Sequence, residues 1–307
     1  MEQKTIPYYL VDVFTDKRFG GNQLAVFIDL NNVLDHDEML RIAKELNLAE
    51  ITFVKSNSDN YRFHIRIFTT EYEVPFAGHP SLGTAYIIAK HMVEKPVSEI
   101  ILEVAEGDIR IAISNPSDLG QSQFTMEQVQ PQFYNEYHAH AIFQAHNIPK
   151  EYLNPKLPIQ RISTGLEYII IPMISIDAIQ NIQLDDINAI RWLKEQKLHR
   201  TNSHSGRTTS FFFLTSETID PTNDYYVRMF CLESERLVED AATGSANGCL
   251  LAYLLRHTQS SIKATVEQGY SMNRPSSLHL SGVINDGTYT IKVGGQVVPM
   301  AEGRWYI

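Results

Sequence analysis

The sequence feature that most constrains the fold is a helix with no polar face, predicted directly after Gly78-His79-Pro80. Residues 82–93 place apolar side chains on almost every side of such a helix, and a helix that is apolar all round is buried on all sides. Proline is favoured in a first helical turn because the hydrogen bond that its nitrogen cannot make is missing there anyway. The pattern therefore predicts a buried helix over 80–93, whose positively polarised start beside Gly78 and His79 can bind an anion.

A second copy of this arrangement lies at 239–257, where a short turn of Ala, Gly and hydroxyl residues opens another apolar helix, predicted over 245–257. Each copy follows a strand-like run and precedes a strand that ends in an acidic or amide residue before glycine. These features are 66–68 and Glu106-Gly107 in the first copy, and 228–230 and Gln268-Gly269 in the second. The repeated order predicts an internal duplication, with each half built around one buried helix. We expect the two helix N-termini to face one cleft.

Strand patterns greatly outnumber helical ones around both predicted central helices. The other helical patterns cover 36–46, 135–146 and 187–195. The expected fold class is therefore α+β, with two pseudo-symmetric domains that are each a curled, mostly antiparallel sheet around a central buried helix.

The composition of residues 114–121, rich in Ser, Asn, Pro, Asp and Gly, predicts a linker between the two domains. We expect an N-terminal domain over 1–117 and a C-terminal domain over 122–294. A final strand near 295–307 is expected to cross back and join the first domain.

The length and the charge of the chain limit the classes of function that it can have. The 307 residues, 43% of them hydrophobic, are enough for two domains with cores of their own. A formal charge of −10 and a pI of about 5.5 argue against a nucleic-acid partner, which needs a basic face. The first residues have no signal-peptide pattern and no stretch is apolar enough to span a bilayer, so we expect a cytoplasmic protein with no membrane partner. Two cysteines make no disulfide framework.

Three ionisable side chains, those of Glu50, His79 and Asp240, lie at turns beside apolar elements. Such positions favour a role in proton transfer or ligand binding. Glu50 stands alone among apolar residues, and a half-closed cleft would raise the pKa of its carboxyl group toward the range that a general acid and base needs. His79, at the start of a buried helix, is pressed toward its neutral form. The simpler alternatives are a solvated strand-end carboxylate for Glu50, a hydrogen-bonded core histidine for His79 and a helix-capping acid for Asp240.

The small residues at the two helix starts allow two interpretations as well. Gly78 and Gly244 are either plain turn residues or positions where a ligand can approach backbone amides. The hydroxyl groups of Thr243 and Ser245 lie beside Gly244 and can bind the same ligand.

Motifs for metals and cofactors are missing from the sequence. His138, His140 and His146 lack acidic or cysteine partners at a metal-site spacing, so we interpret them as part of a solvated segment. There is no GxGxxG after a strand, no P-loop and no GxSxG elbow. We expect no cofactor and no metal.

Several short motifs, taken together and in order, resemble the PhzF-like proteins of the phenazine-biosynthesis isomerase family. They are Asp12–Thr15, Gly20–Asn22, Asn47–Val54, Arg66–Thr69, Pro75–Pro80 and Glu239–Ala246. The resemblance covers both halves. It implies the fold of diaminopimelate epimerase, with two pseudo-symmetric domains and a site in the cleft between them.

The resemblance also implies roles for single residues. The catalytic carboxylate of the family corresponds to Glu50, and its motif histidine and the preceding glycine correspond to His79 and Gly78. The essential aspartate corresponds to Asp240, and a substrate-binding serine to Ser245.

The sequence departs from the family and its fold relatives at a few places. Epimerases of this fold have a cysteine ahead of the glycine at each helix start, where this chain has Ala77 and Thr243, which excludes racemisation by two thiols. Ala241 replaces the usual proline after the Glu-Asp pair, and Gln23 follows Asn22 where proline is common. These changes bear on substrate shape more than on chemistry.

The sequence thus predicts a cofactor-independent isomerase that moves a proton on a small carboxylate, with Glu50 as the general acid and base. The substrate carboxylate would be held by backbone amides, Ser245 and Asn22. Two alternatives stay open: a non-catalytic protein that binds a small anion in the same cleft, and a racemase that pairs Glu50 with a partner other than a thiol. The family resemblance favours a homodimer.

Overall fold

The computed structural model describes residues 4–59 and 61–307, so residues 1–3 and residue 60 of the predicted first domain lie outside it. The described residues form two compact units, one drawn from 1–127 and 294–307 and the other from 128–293. The segment 114–121, predicted to be a linker, lies inside the first unit, where Leu119–Gln121 forms one turn of 3-10 helix.

The first unit begins with eight strands and two helices. They are β1 (Thr5–Val13), β2 (Asn22–Ile28), α1 (His36–Leu46), β3 (Glu50–Asp59), β4 (Arg62–Phe68), β5 (Glu73–Val74), α2 (Gly78–His91), β6 (Glu99–Val104), β7 (Gly107–Ile113) and β8 (Phe124–Glu127). Eleven residues of α2, from Gly78 to Ile88, are buried without interruption, as expected of a helix with no polar face.

The second unit follows with more strands and four helices. They are β9 (Gln132–Tyr137), α3 (Ala139–His146), β10 (Ile159–Ser163), β11 (Glu167–Pro172), α4 (Ile176–Gln180), α5 (Asp186–Glu195), β12 (Ser210–Thr215), β13 (Tyr225–Glu233), β14 (Arg236–Asp240), α6 (Gly244–His257), β15 (Ser261–Gln268), β16 (Ser276–Asn285) and β17 (Thr288–Gly295), whose last two residues belong to the first unit. In α6, every residue from Gly244 to Leu255 is buried. A last strand, β18 (Val297–Tyr306), belongs to the first unit and pairs antiparallel with β1.

The two units repeat one strand topology. In the first unit, successive ladders β1/β2, β2/β3, β3/β4, β4/β5, β4/β6 and β6/β7 are antiparallel, parallel, antiparallel, antiparallel, parallel and antiparallel. The ladders β10/β11, β11/β12, β12/β13, β13/β14, β13/β15 and β15/β16 of the second unit have the same senses in the same order. The predicted α+β fold with two pseudo-symmetric, mostly antiparallel halves is confirmed.

The central helix of the first unit packs very closely on the strands beneath it. A Cβ atom on Gly83 would lie 2.5 Å from Leu24 Cδ2 and 2.9 Å from Val13 Cγ2, so only glycine lets the helix approach β1 and β2 this closely. One hydrogen bond of 2.7 Å between the buried hydroxyl groups of Thr52 and Thr84 fixes α2 against β3. Together these contacts set the position of the α2 start relative to β2 and β3.

Two predicted boundaries were wrong. The helix predicted over 135–146 begins at Ala139, because residues up to Tyr137 form β9 and pair with β10 instead. The first central helix begins at Gly78, two residues before Pro80, which still falls in the first turn where its missing N–H leaves no bond unmade. None of the helices in the described part of the chain is long and apolar enough to cross a membrane.

Candidate active site

Glu50 is placed by the way α1 ends. Asn47 closes that helix in a left-handed conformation with φ of 50°, which Asn adopts more easily than most residues, and the chain turns into β3. Glu50 is the first residue of β3 and stands opposite Leu24 in the parallel ladder with β2. Its side chain is 23% exposed while the next residue, Ile51, is fully buried. The carboxylate therefore lies at the edge of the core.

His79 lies beside Glu50 at the start of α2. Its Nε2 atom is 3.6 Å from Oε2 of Glu50, close enough for an ion pair only if the ring is protonated. Burial lowers the pKa of His79 to about 3, and a hydrogen bond with the backbone of Gln23 opposes this only in part. The ring is thus neutral at physiological pH, and the two side chains form a carboxylate–imidazole pair without an ion pair.

The N-terminus of α2 carries no cap from its own N-cap residue. Ala77 offers no side-chain hydrogen bond, and the first turn holds no acidic residue. Ser81, four residues on, donates its hydroxyl hydrogen back to the Ala77 carbonyl over 2.8 Å, so it does not cap the amides either. An uncapped start of a buried helix, with Gly78 as its first residue, is a favourable place for an anion.

Asn22 lies on the strand next to this pair. It is the first residue of β2, buried, and stands opposite Val13 in the ladder with β1. The following residue, Gln23, is the one whose backbone bonds to the His79 ring. The first unit thus brings Glu50 and His79 together and places Asn22 at the adjoining strand end.

In the second unit, Asp240 and Thr243 lie together at the start of α6. Asp240 is the last residue of β14 and Thr243 is the N-cap of the helix. The Thr243 hydroxyl donates to Oδ2 of Asp240 over 2.5 Å. Asp240 therefore accepts a hydrogen bond from the hydroxyl of the N-cap residue of α6.

Ser245 is the second residue of α6, directly after Gly244, and its hydroxyl lies 2.7 Å from the hydroxyl of Tyr168 on β11. Burial raises the pKa of Tyr168 well above its usual value, and the hydrogen bond with Ser245 opposes this shift. Both hydroxyl groups are therefore neutral and can donate or accept one further hydrogen bond.

The duplication makes the two units comparable residue by residue, and their chemistry differs. Glu50 stands in the first pair of the parallel β2/β3 ladder, and the corresponding residue of β12 in the β11/β12 ladder is Ser210. His79 and Ser245 are both the second residues of their central helices. The carboxylate and imidazole of the first unit are thus replaced by two hydroxyl groups in the second.

Neither cysteine lies at a helix start. Cys249 is fully buried in α6, where its thiol contacts Thr164 and the carbonyl of Ile162, and burial raises its pKa to about 12. Cys231 lies on β13. The thiol of Cys249 is therefore far from the reactive thiolate form.

The interpretation of the predicted histidine segment was wrong in part. His146 is buried rather than solvated, and its ring packs edge-on against Phe211 with centroids 4.2 Å apart. Its neighbour α5 and the strand β12 cover the end of α3, which a local sequence pattern does not reveal. Within residues 4–59 and 61–307, no group of three or more His, Cys, Asp or Glu side chains is arranged to hold a metal ion.

Two further residues of the second unit, Tyr168 and Gln268, contact the predicted site residues Ser245 and Thr243 there, and sequence reasoning had given them no role. Gln268 bonds to Thr243 and to the backbone of Asp240. Its position before Gly269, equivalent to Glu106-Gly107 of the first half, was the one available signal. Gly269 adopts φ of 76° with the carbonyls of Ala241 and Arg274 within 2.5 Å of where a Cβ would be, so the turn after Gln268 requires glycine.

Comparison with known proteins identifies the family of this chain. The chain matches the family model described as phenazine biosynthesis-like protein over residues 11–303. It is 31% identical to an uncharacterized isomerase of Mesorhizobium japonicum, over 99% of this chain and 100% of that protein. It is 29% identical to the trans-2,3-dihydro-3-hydroxyanthranilate isomerase of Pseudomonas aeruginosa, over 98% and 99% of the two chains.

A solved structure shares the fold. The crystal structure of a PhzF-family phenazine biosynthesis protein of Bacillus anthracis matches with a TM-score of 0.85 at 23% identity, over 99% of this chain and 100% of that one. The fold and the site define a duplicated α+β protein with a carboxylate–imidazole pair at the central helix of one half. The chain belongs to the phenazine biosynthesis-like protein family, and the resemblance drawn from its motifs is confirmed.

Proposed function

We propose that this protein is a cofactor-independent isomerase that moves a proton on a small carboxylate substrate, with Glu50 as the general acid and base. The observation that carries the proposal is the pair of Glu50 and a buried, neutral His79 at the uncapped start of α2. A partly exposed carboxylate can meet a substrate, and Glu50 lies at the edge of the core beside His79.

The role of each residue follows from its protonation state. Glu50 removes a proton from one atom of the substrate and returns it to another. His79, neutral and held by the Gln23 backbone, donates or accepts a hydrogen bond without adding a fixed charge. This leaves the developing negative charge of the substrate to be stabilised by helix starts rather than by a cation.

Substrate binding is assigned to the two helix starts. The backbone amides at Gly78 and Gly244 and the hydroxyls of Thr243 and Ser245 suit a carboxylate, and Asn22 adds an amide on the neighbouring strand. The prediction that both helix starts serve one substrate stays a prediction. So do the homodimer and the cytoplasmic location expected from the sequence.

The relatives suggest the chemical class of substrate. The Pseudomonas aeruginosa relative is named for the isomerisation of trans-2,3-dihydro-3-hydroxyanthranilate, a cyclic carboxylate. We propose a carboxylate of comparable size for this chain, and we use that compound as the first probe.

Two alternative functions use the same residues. A small-anion-binding protein would need the uncapped helix starts but not the carboxylate of Glu50. A racemase needs two bases, and because Ser210 and Ser245 occupy the positions equivalent to Glu50 and His79, it would have to recruit Asp240 as the second base.

Hydrogen exchange in heavy water tests the proposal. The wild type is expected to incorporate deuterium into the dihydro-hydroxyanthranilate probe or a related carboxylate. Glu50→Gln keeps the shape of the side chain but not its transferable proton, so affinity measured by calorimetry should stay within about tenfold while exchange slows by roughly 10² to 10⁴. Glu99→Gln is the matched control, because it makes the same change from carboxylate to carboxamide at an exposed position of the same unit. It should leave the affinity and the exchange rate unchanged.

Each outcome separates the candidates. Equal exchange in wild type and Glu50→Gln would show that another group moves the proton. Tight binding of a carboxylate with no exchange in the wild type would favour the anion-binding protein. Deuterium placed on the original carbon with inversion, and lost in Asp240→Asn, would favour the racemase.

A further inference from the structure

The side-chain amide of Gln268, at the end of β15, is hydrogen-bonded on every side. Its Nε2 atom donates to the carbonyl of Asp240 and to Oγ1 of Thr243, each over 3.0 Å. Its Oε1 atom accepts from the backbone N–H of Thr243 over 3.2 Å and from Nδ2 of Asn247 over 3.0 Å. Gln268 is fully buried, so these four bonds replace all of its hydration.

The orientation of this amide is dictated by the main chain. A backbone carbonyl can only accept, so the atom facing the Asp240 carbonyl must be the nitrogen. A backbone N–H can only donate, so the atom facing the Thr243 nitrogen must be the oxygen. The two backbone groups therefore exclude the flipped amide, in which the side-chain nitrogen and oxygen of Gln268 would exchange places.

This orientation fixes the direction of the next hydrogen bond. The Thr243 hydroxyl faces a nitrogen of Gln268 that can only donate, so its oxygen accepts there. Its single hydrogen is then directed at Oδ2 of Asp240, 2.5 Å away. A hydroxyl without Gln268 beside it could rotate and accept from a protonated Asp240 instead.

We propose that Gln268 is a positioning residue of the active site, which locks the Thr243 hydroxyl as a donor to Asp240 so that Asp240 faces the substrate as an ionised carboxylate. The role of Asp240 in the reaction, which rests on the proposed isomerase function, is then that of a hydrogen-bond acceptor. It does not start the cycle as the acid, and no proton leaves it through Thr243, because the amide beyond cannot take one.

Two acidic residues next to the Asp240 cluster have partners of their own. Glu239, the preceding residue of β14, is paired with Arg228 of β13 over 2.7 Å. Glu267 of β15 accepts from the backbone N–H groups of Ile219 and Asp220. The first turn of α6 has no acidic residue, and on β11 the pKa of Tyr168 is raised mainly by burial and in small part by the charge of Asp240.

The test follows the carboxyl group of Asp240 itself, by carbon-detected NMR of protein labelled at aspartate side chains, with Asp240→Asn used to assign the signal. We call the hydrogen-bonded series Gln268–Thr243–Asp240 the relay, in the sense that Gln268 acts on Asp240 through the Thr243 hydroxyl and no proton passes along it. Thr243→Val and Gln268→Met each remove one member of the relay while keeping its approximate shape. Each is expected to weaken proton release by Asp240 roughly tenfold, a shift of its titration midpoint upward by about one pH unit. The double variant should shift no further than either single one, because both act through one hydroxyl.

Ser276→Ala is the matched control. Ser276 is buried beside the same loop and donates to the Ala241 carbonyl over 2.9 Å, outside the relay. Its replacement removes a buried bond of similar kind, so a shift caused only by local loosening would appear in it as well, and the proposal expects none.

The outcomes do not depend on turnover. An unchanged midpoint in Gln268→Met beside a shifted one in Thr243→Val would overturn the role of Gln268, as would additive shifts in the double variant. Should the variants fail to fold, the wild type decides alone, since an Asp240 that is protonated at pH 7 contradicts the proposal. None of these measurements needs a substrate, so failure of the relay and failure of the isomerase proposal are separate results.

Discussion

The His79 ring is neutral although its Nε2 lies 3.6 Å from a carboxylate oxygen. Loss of hydration outweighs that attraction, because the ring is buried while the side chain of Glu50 keeps part of its own hydration. A neutral imidazole next to a carboxylate can share a proton with it, whereas a permanent ion pair would hold the carboxylate in its charged form.

The protonation state of His79 is directly measurable. Nitrogen NMR of the histidine rings should show His79 in one neutral form from pH 5 to pH 8, because burial lowers its pKa to about 3. Glu50→Gln should leave this result unchanged, since burial and not the carboxylate sets it. A His79 signal that titrates near pH 6.5 would contradict both the burial argument and the role given to the ring.

The two thiols are expected to be dispensable. The pKa of Cys249 is raised to about 12, so it should resist a thiol reagent in the folded protein and react only after unfolding, while Cys231 reacts first. The variant with both residues changed to Ser should retain proton exchange, with modest destabilisation from the Cys249 site. A folded double variant whose exchange rate falls by orders of magnitude would return thiol catalysis to consideration.

The sequence could not reveal which side chains are charged, or which of them bond to partners that are distant in sequence. Glu50, His79 and Asp240 stand out because polar residues interrupt local apolar patterns. Gln268 does not, since its partner Thr243 is 25 residues away and the contact exists only once β14 and β15 have both paired with β13. The buried ion pair of Lys55 with Asp29 was missed for the same reason.

At the scale of elements, the two central helices were predictable because each local sequence has apolar residues on all sides of the helix, which indicates burial. The β9 strand was not, because Tyr137 pairs with Ile159 across a gap in sequence that the helical pattern of its neighbours conceals. The short strands β5 and β14, which precede α2 and α6, were also absent from the prediction. Each is held by a hairpin partner rather than by its own composition.

The close packing of α2 predicts a sensitive position. Gly83→Ala places a methyl group 2.5 Å from Leu24 Cδ2, and Leu24 is the partner of Glu50 in the ladder. Overpacking of this kind should lower the free energy of unfolding by roughly 1–3 kcal/mol, measured by urea denaturation. Because the strain reaches the β2/β3 pair, proton exchange should fall as well.

Gly287→Ala serves as the control. Gly287 lies in an open turn with φ of 79°, and no atom lies near the position of a new Cβ. The substitution by alanine therefore strains the backbone without causing a packing clash. It should lower stability but leave the exchange rate of the folded protein unchanged. Equal effects of the two substitutions on exchange would argue against a link from α2 packing to the site.

For the molecule as a whole, buried histidines predict loss of stability in acid. Burial lowers the pKa of His79 and of His146 to about 3, against 6.5 for the ordinary group. The unfolded chain binds these protons below pH 6.5 and the folded chain does not, so stability is fully present above pH 6.5 and falls as the pH drops toward 3.

His146→Phe tests this contribution away from the candidate site. The aromatic ring can keep the contact with Phe211 but cannot bind a proton, so the difference in unfolding free energy between pH 7 and pH 5 should shrink by about 2 kcal/mol. The same change at His138, which is exposed, should leave that difference unaltered. An unaltered difference in His146→Phe would show that the ring does not resist protonation.

The duplication was predictable from the sequence because both copies repeat a turn and an apolar helix in the same order. The matching order of six ladders shows how far the repeat extends. What the repeat does not preserve is the chemistry, since the positions of Glu50 and His79 in the first unit correspond to Ser210 and Ser245 in the second. Each half thus kept its scaffold while its functional side chains diverged.

The pairing of β18 with β1 also has a consequence for synthesis on the ribosome. Ile307 donates its N–H to the Lys4 carbonyl, and Thr5 stands opposite Tyr306, so the first unit closes its sheet with the last strand of the chain. Domains usually fold as they emerge, N-terminal ones first. Here all of residues 128–293 must be translated before β18 is available, so the first unit can be completed only after the whole second unit has been made.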